Sequence, residues 1–296
     1  MRRIFTSFAC TMLTAVGLTA QTPVPDTDIY IAPLRMRDGW VALGALRNVT
    51  NRAGYDNQPH FSSDGRSILY TARIGNTQTD IFRYDLRSNK STQVTQTPES
   101  EYSPTPTPIG GFSVIRVEAD STQRLWRFND NGSNPRVLLP TVRPIGYQAW
   151  MDGNSLVLFV LGSPATLRIG DVRTGRADSL AANIGRAIQK VPRYAGASFV
   201  QRAPDSTMWV QRVHGPTRAV RPIARLPAGG EYHAWTPRSA LLATSGSKVL
   251  EWTPINGGSW REVADYAGQG IRLSRIAVSP RGDWIAVVGE RPAAAR

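Results

Sequence analysis

Cysteine is nearly absent: Cys10 stands alone in 296 residues, so neither an intrachain disulfide nor a thiolate metal cluster is available. Histidine is equally scarce, at His60, His214 and His233, with none of the paired spacing that a zinc site needs. Lysine is reduced to Lys90, Lys190 and Lys248, although Lys and Arg together number 35 against 22 acidic residues. The formal excess of +13 is therefore an arginine excess, and a field of that sign favours anionic partners such as acidic polysaccharide, lipid headgroups or an acidic protein face. The arginines are scattered rather than run together, which argues against specific nucleic-acid binding. No Gly-x-Ser-x-Gly nucleophile elbow occurs; Gly111-Phe112-Ser113-Val114-Ile115 comes nearest and lacks the last glycine. Beyond the first twenty residues no apolar run is long enough to span a membrane.

Those first twenty residues are the exception. Arg2 and Arg3 precede an apolar stretch from Ile4 to Leu18, and Thr19-Ala20 leads into polar Gln21-Thr22-Pro23, the pattern of a secretory signal peptide with cleavage expected after Ala20. Its loss removes Cys10 and the two arginines, lowering +13 to about +11. The exported protein, periplasmic or secreted, then relies on its packed core alone. Residues 21–27 read as a short linker, 28–290 as one domain uninterrupted by any Pro/Gly/Ser-rich segment, and 291–296 as a tail.

The stretch Gln58 to Ala72 sets the pattern for the domain. His60-Phe61 is strand-like, Ser62-Ser63-Asp64-Gly65 supplies turn chemistry, and Arg66 to Ala72 is a second strand. Asp80 to Leu86 alternates as a third strand, and Ser91 to Thr95 completes a four-stranded unit. Relatives of Phe61 recur at Thr107, Trp150, Val191, Trp235 and Val278, at steps of roughly 41 to 46 residues, within the repeat range of a β-propeller. Hairpins between third and fourth strands recur in phase, at Tyr84 to Asn89, Phe128 to Ser133, Gly170 to Gly175 and Pro254 to Gly258, and more weakly at Val213 to Pro216. The expected fold is all-β: a six-bladed β-propeller of four-stranded antiparallel blades.

Pro59-His60-Phe61-Ser62-Ser63-Asp64-Gly65-Arg66 and Val278-Ser279-Pro280-Arg281-Gly282-Asp283-Trp284-Ile285-Ala286 closely resemble the P-x-W-S-P-D-G-x-x-I-A-F repeat of TolB-like propellers, a bacterial, WD-repeat-like type. The resemblance spans most of the domain by repeat period. It implies a soluble partner for envelope proteins or for peptides threaded into the channel, and the chain departs from TolB in lacking an α/β domain before the propeller.

Ring closure is also legible. Asp28 to Leu34 matches the third strand Asp80 to Leu86, and Trp40 to Val49 suits a fourth, whereas Arg275 to Val278 and Trp284 to Val288 are a first and second strand with nothing after them. The N-terminal strands should complete the C-terminal blade. Candidate binding residues lie upstream of each first strand, at the channel rim: Asp56, Asn57, Glu101, Tyr102, Arg143, Lys190, Glu231, His233 and Arg272, with Arg186, Arg275, Tyr55, Tyr147 and Tyr232 in the same segments. Rigid aromatics there suit a docking face. The expectation is a non-catalytic binding protein without cofactor, docking a protein or peptide at the channel mouth. One alternative is a calcium-assisted hydrolase or lactonase whose oxygen ligands would come from Asp56, Asn57, Glu101 and Glu231. Another is recognition of an acidic glycan.

Overall fold

The computed structural model describes residues 26–75, 77–254 and 258–290. The leader with Cys10, most of the linker, residues 255–257 of one expected hairpin and the tail 291–296 lie outside the described residues. Strands β1 (Thr27–Arg37), β2 (Trp40–Leu43) and β3 (Arg47–Asn48) come first. Blade one follows as β4 (Asp56–Phe61), β5 (Ser67–Ile74), β6 (Gln78–Asp85) and β7 (Lys90–Gln93). Blade two is β8 (Ser100–Pro106), β9 (Phe112–Val117), β10 (Gln123–Phe128) and β11 (Arg136–Leu138). Blade three is β12 (Ile145–Trp150), β13 (Ser155–Val160), β14 (Thr166–Asp171) and β15 (Arg176–Ala182). Blade four is β16 (Ile184–Lys190), β17 (Gly196–Arg202), β18 (Met208–His214) and β19 (Val220–Arg225). Blade five is β20 (His233–Trp235), β21 (Leu241–Ser245), β22 (Lys248–Thr253) and β23 (Ser259–Asp265). The last strands are β24 (Arg272–Val278) and β25 (Trp284–Glu290).

Each blade is an antiparallel meander, and the six form a ring. Blade six has the order β2-β1-β25-β24, with Thr27 opposite Glu290 and Pro33 opposite Trp284, so strands from both ends of the domain seal it. The outermost strand is split into β2 and β3 around Gly44 to Leu46. Opposite this break stands Pro33, which has no N–H for the ladder but accepts from Gly44 N–H at 2.9 Å. The seam is latched from blade five. Buried Glu251 accepts from Val41 N–H and from Arg261, and Arg261 also donates to the Val41 carbonyl at 2.8 Å.

In every blade the first hairpin is closed by the same backbone bond, donated by Ser62, Thr107, Met151, Val191, Thr236 and Ser279. The true equivalents of Phe61 are therefore Pro106, Trp150, Lys190, Trp235 and Val278. In blades two and four this is one residue earlier than the sequence alignment placed it. Neither copy carries an Asp-Gly turn, and Thr107 and Val191 already belong to the hairpin closure rather than to the strand. Odd-numbered blades end the inner strand with Phe61, Trp150 or Trp235. The two tryptophans donate into serines of the preceding blade, Trp150 to Ser113 at 2.9 Å and Trp235 to Ser198 at 2.8 Å. Most of the hydrophobic clusters span neighbouring blades; one joins Ile29, Ile31 and Ala286 of blade six to Phe61, Ile68 and Tyr70 of blade one.

The inner strands are not regular. The β4–β5 register shifts between Asn57 and His60, and β8–β9 shifts between Tyr102 and Thr105. Gln58 and Ser103 take positive φ at these bulges, 58° and 54°, each directly before a proline. A bulge of this kind changes which side chains face the axis from that point on.

Candidate functional site

The inner strands β4, β8, β12, β16, β20 and β24 surround an axial cavity of about 520 Å³. Its open end carries a collar of first-hairpin prolines, Pro108, Pro192, Pro237 and Pro280, whose rings make a rigid apolar rim. At the other face a vestibule of about 500 Å³ is walled by Ile115, Val117, Phe159, Leu161 and Ala165. The two spaces have Gln58, Tyr147 and Arg186 in common.

What separates them is a bar of side chains. Arg275 on β24 donates to the Tyr147 hydroxyl on β12 at 2.9 Å. Blades succeed one another around the ring through neighbouring inner strands, so blades six and three stand opposite each other and this bond crosses the axis. The guanidinium carbon lies 4.8 Å from the ring centroids of both Tyr147 and Tyr232, a cation held between two aromatic faces. Burial works against the Arg275 charge, but Tyr147, Tyr232 and Tyr55 outweigh it and leave its pKa above the usual value. The group is a permanent cation. Burial likewise pushes the Tyr55 phenol well above its ordinary value, against the pull of Arg275.

The electrostatics of the cup are one-sided. Arg275, Arg186 and Lys190 line it, and no Asp or Glu does among the described residues. His60 also lines it, and burial lowers its pKa to about 4, which leaves a neutral imidazole. His233 is fully buried in the wall; burial lowers it to about 3, and its Nε2 lies 2.7 Å from Ser198 Oγ. It serves the contact between blades four and five.

The other rim candidates are dispersed. Asp56 is fully buried between blades six and one, bonded to Arg52 at 2.5 Å. Asn57 is buried beside it, near Thr27 at 3.3 Å. Glu101 is fully buried between blades one and two, where it meets Thr95, Thr97 and Arg116. Neither carboxylate lines either cavity, and exposed Glu231 does not either. Among the described residues no three His, Cys, Asp or Glu side chains gather where a metal would be held. Tyr102 faces the vestibule, Lys190 the collar, and Arg143 and Arg272 are exposed outside both.

One signal marks the bar once the repeat is phased correctly. Three residues before the end of each inner strand stand Gln58, Ser103, Tyr147, Ala187, Tyr232 and Arg275, and that position supplies the ring of side chains at the floor of the cup.

No protein-family model and no curated protein sequence matches the chain. Solved structures do. A protein of Agrobacterium tumefaciens assigned as TolB superposes with a TM-score of 0.70 at 17% identity, covering 92% of this chain and 100% of its own. TolB from Acinetobacter baumannii gives 0.58 at 12% identity, over 88% of this chain and 63% of its own. The fold is a TolB-like β-propeller. The likeness is one of architecture, because an oligogalacturonate lyase in complex with manganese also superposes on this TolB-like ring, with a TM-score of 0.55 at 11% identity over 83% of this chain and 80% of its own.

Proposed function

We propose that the protein is an exported, non-catalytic binding propeller that docks a protein or peptide segment in its axial cup. The observation that carries this reading is the open cavity contributed by all six blades, lined by cations and prolines and free of carboxylates among the described residues. Such a surface attracts an anionic partner and gives its apolar parts a rigid wall. An acidic glycan would meet the same cations, but the proline collar with Phe61, Ile276 and Val278 suits side chains better than sugar hydroxyls. Of the carboxylates that the metal-dependent alternative would use, Asp56 and Glu101 are buried in blade junctions and Glu231 is exposed outside both cavities.

The test is selection of short peptides against the protein, followed by affinity measurement on the variant Gln189→Trp. Gln189 lines the cup and is half-exposed, so an indole there fills the cavity without disturbing the core. Selected peptides should bind the native protein and lose roughly tenfold or more on the variant. Equal binding to both would place the docking face elsewhere.

A further inference from the structure

We propose that the cup receives the free C-terminal carboxylate of a peptide, seated end-on against Arg275. This rests on the peptide-docking reading above and adds what part of the peptide is recognised. The bond from Arg275 to Tyr147 joins opposite blades, so a chain coming in through the collar meets a floor and must end or turn back there.

Arg275 makes no ion pair with the protein's own carboxylates among the described residues. The guanidinium carbon sits over the rings of Tyr147 and Tyr232 and one Nη2 hydrogen goes to the Tyr147 hydroxyl, which leaves the N–H groups of another edge for further bonds. Two parallel N–H donors on one edge match a carboxylate. Gln58 adds a donor. Its Oε1 accepts from Ser103 N–H at 2.7 Å and from the Thr71 hydroxyl at 2.9 Å, which assigns its NH2 to the cavity it lines. Tyr232 and Arg186 complete the polar floor, while His60, neutral at ordinary pH, and the prolines face the preceding residues of the peptide.

The test uses two matched pairs on the full-length mature protein: 4-phenylbutyrate against 4-phenylbutyramide, and a selected peptide with a free against an amidated C-terminus. Thermal melting and calorimetry should show the acid of each pair binding roughly tenfold or more tightly than its amide. Arg275→Met should erase the difference, and Arg275→Lys should retain part of it, since a point charge replaces the fork. Because Arg275→Met removes the bar as well as the charge, Tyr147→Phe serves as the control: it breaks the bar, keeps the guanidinium, and should preserve the preference for the acid. Equal binding of acid and amide, or an acid preference that survives Arg275→Met, overturns the proposal. If peptides bind and respond to Gln189→Trp but ignore amidation, the cup still docks peptides and only the carboxylate seat is wrong. If phenylbutyrate binds at Arg275 while peptides ignore Gln189→Trp, the peptide occupant is wrong and the cup holds a small organic acid.

Discussion

Every junction holds a hydrophobic cluster, but the two on either side of blade one add a buried carboxylate set at a place that hydrocarbon fills in the other four, the Glu251 latch between blades five and six standing apart from that place. Between blades six and one, Thr27 Oγ1 donates to the Asp56 carbonyl, Thr50 Oγ1 to Asp28, and Arg52 to Asp56. Between blades one and two the set recurs: Thr79 Oγ1 donates to the Glu101 carbonyl, Thr95 Oγ1 to Glu101 at 3.0 Å, and Arg116 to Glu101 at 3.2 Å, with buried Asp80 in the place of Asp28. At the corresponding place between blades two and three stand Leu125, Leu139, Val142 and Ile145, and between five and six Val249, Tyr266, Ile271 and Leu273. The remaining junctions are filled by Leu167 with Ile184 and by Val210 with Leu226. A buried ion pair adds little net stability over hydrocarbon of the same shape, but it tolerates only one alignment of its partners. The polar sets flank the blade next to the seam, where distant parts of the chain must find the right register.

The ring is most vulnerable at its seam. Deleting Asp28 to Thr50 removes most of the outer half of blade six and the Asp28 and Thr50 side chains, and should abolish cooperative melting; a soluble truncation with an unchanged transition would refute the closure. Next in size, Arg116→Met should destabilise by about 3–5 kcal/mol in urea titration, because Glu101, beside buried Asp80, then loses its guanidinium partner. Replacing Asp80, Glu101 and Arg116 together by leucine or methionine should be far milder than Arg116→Met alone, and a swap as damaging as the single change would show that the polar set contributes stability outright.

A smaller effect is the dependence on pH. Burial holds Glu101 up to about 7 from an ordinary 4.5, against the pull of Thr97 and Arg116, so between those values the native state keeps a proton that the unfolded chain releases. Stability from this group falls as pH rises through that window. His60 and His233 act in the opposite sense. Burial lowers them from 6.5 to about 4 and about 3, so their contribution is intact above 6.5 and is lost as pH falls. The opposing slopes overlap between 4.5 and 6.5. Glu101→Gln should therefore leave a protein whose urea midpoint rises more steeply with pH through that range than the native one, and an unchanged pH profile would remove Glu101 as the source of the opposing slope. Smallest of all, calcium and EDTA should leave the melting temperature of the native protein where it is; a calcium-dependent rise lost in the Asp56→Asn/Glu101→Gln double variant would turn the polar junctions into metal sites.

The ring was readable from sequence because its punctuation is local: Asp64-Gly65 and Gly282-Asp283 sit in hairpins whose positive-φ glycines, Gly65 at 67° and Gly282 at 70°, need that residue type. Blades two and four slipped by one residue for want of such a signal. The rim was harder to read. Asp56 and Glu101 precede bulges at Gln58 and Ser103 that reverse the inward and outward faces of the strand, so residues near the start of the chain's path along the axis are packed into the junctions and those after the bulge look into the cup. The repeated Thr27-Asp28-Ile29 and Thr79-Asp80-Ile81 carried the clue to the polar junctions. Arg275, Tyr147 and Tyr232 stood among the rim residues, but their meeting in one bar follows only from the correctly phased repeat and the closed ring, because Arg275 and Tyr147 are 128 residues apart.

That bar also governs exchange. A tube open at both ends lets solvent and solute pass through, and what arrives at one side can leave by the other. With Arg275 tied to Tyr147 across the axis, an occupant too bulky to pass beside that bar has the collar as both doorway and exit, and a larger partner resting on the four collar prolines would trap it. Residence time would then be set by the outer guest rather than by the grip of the inner one.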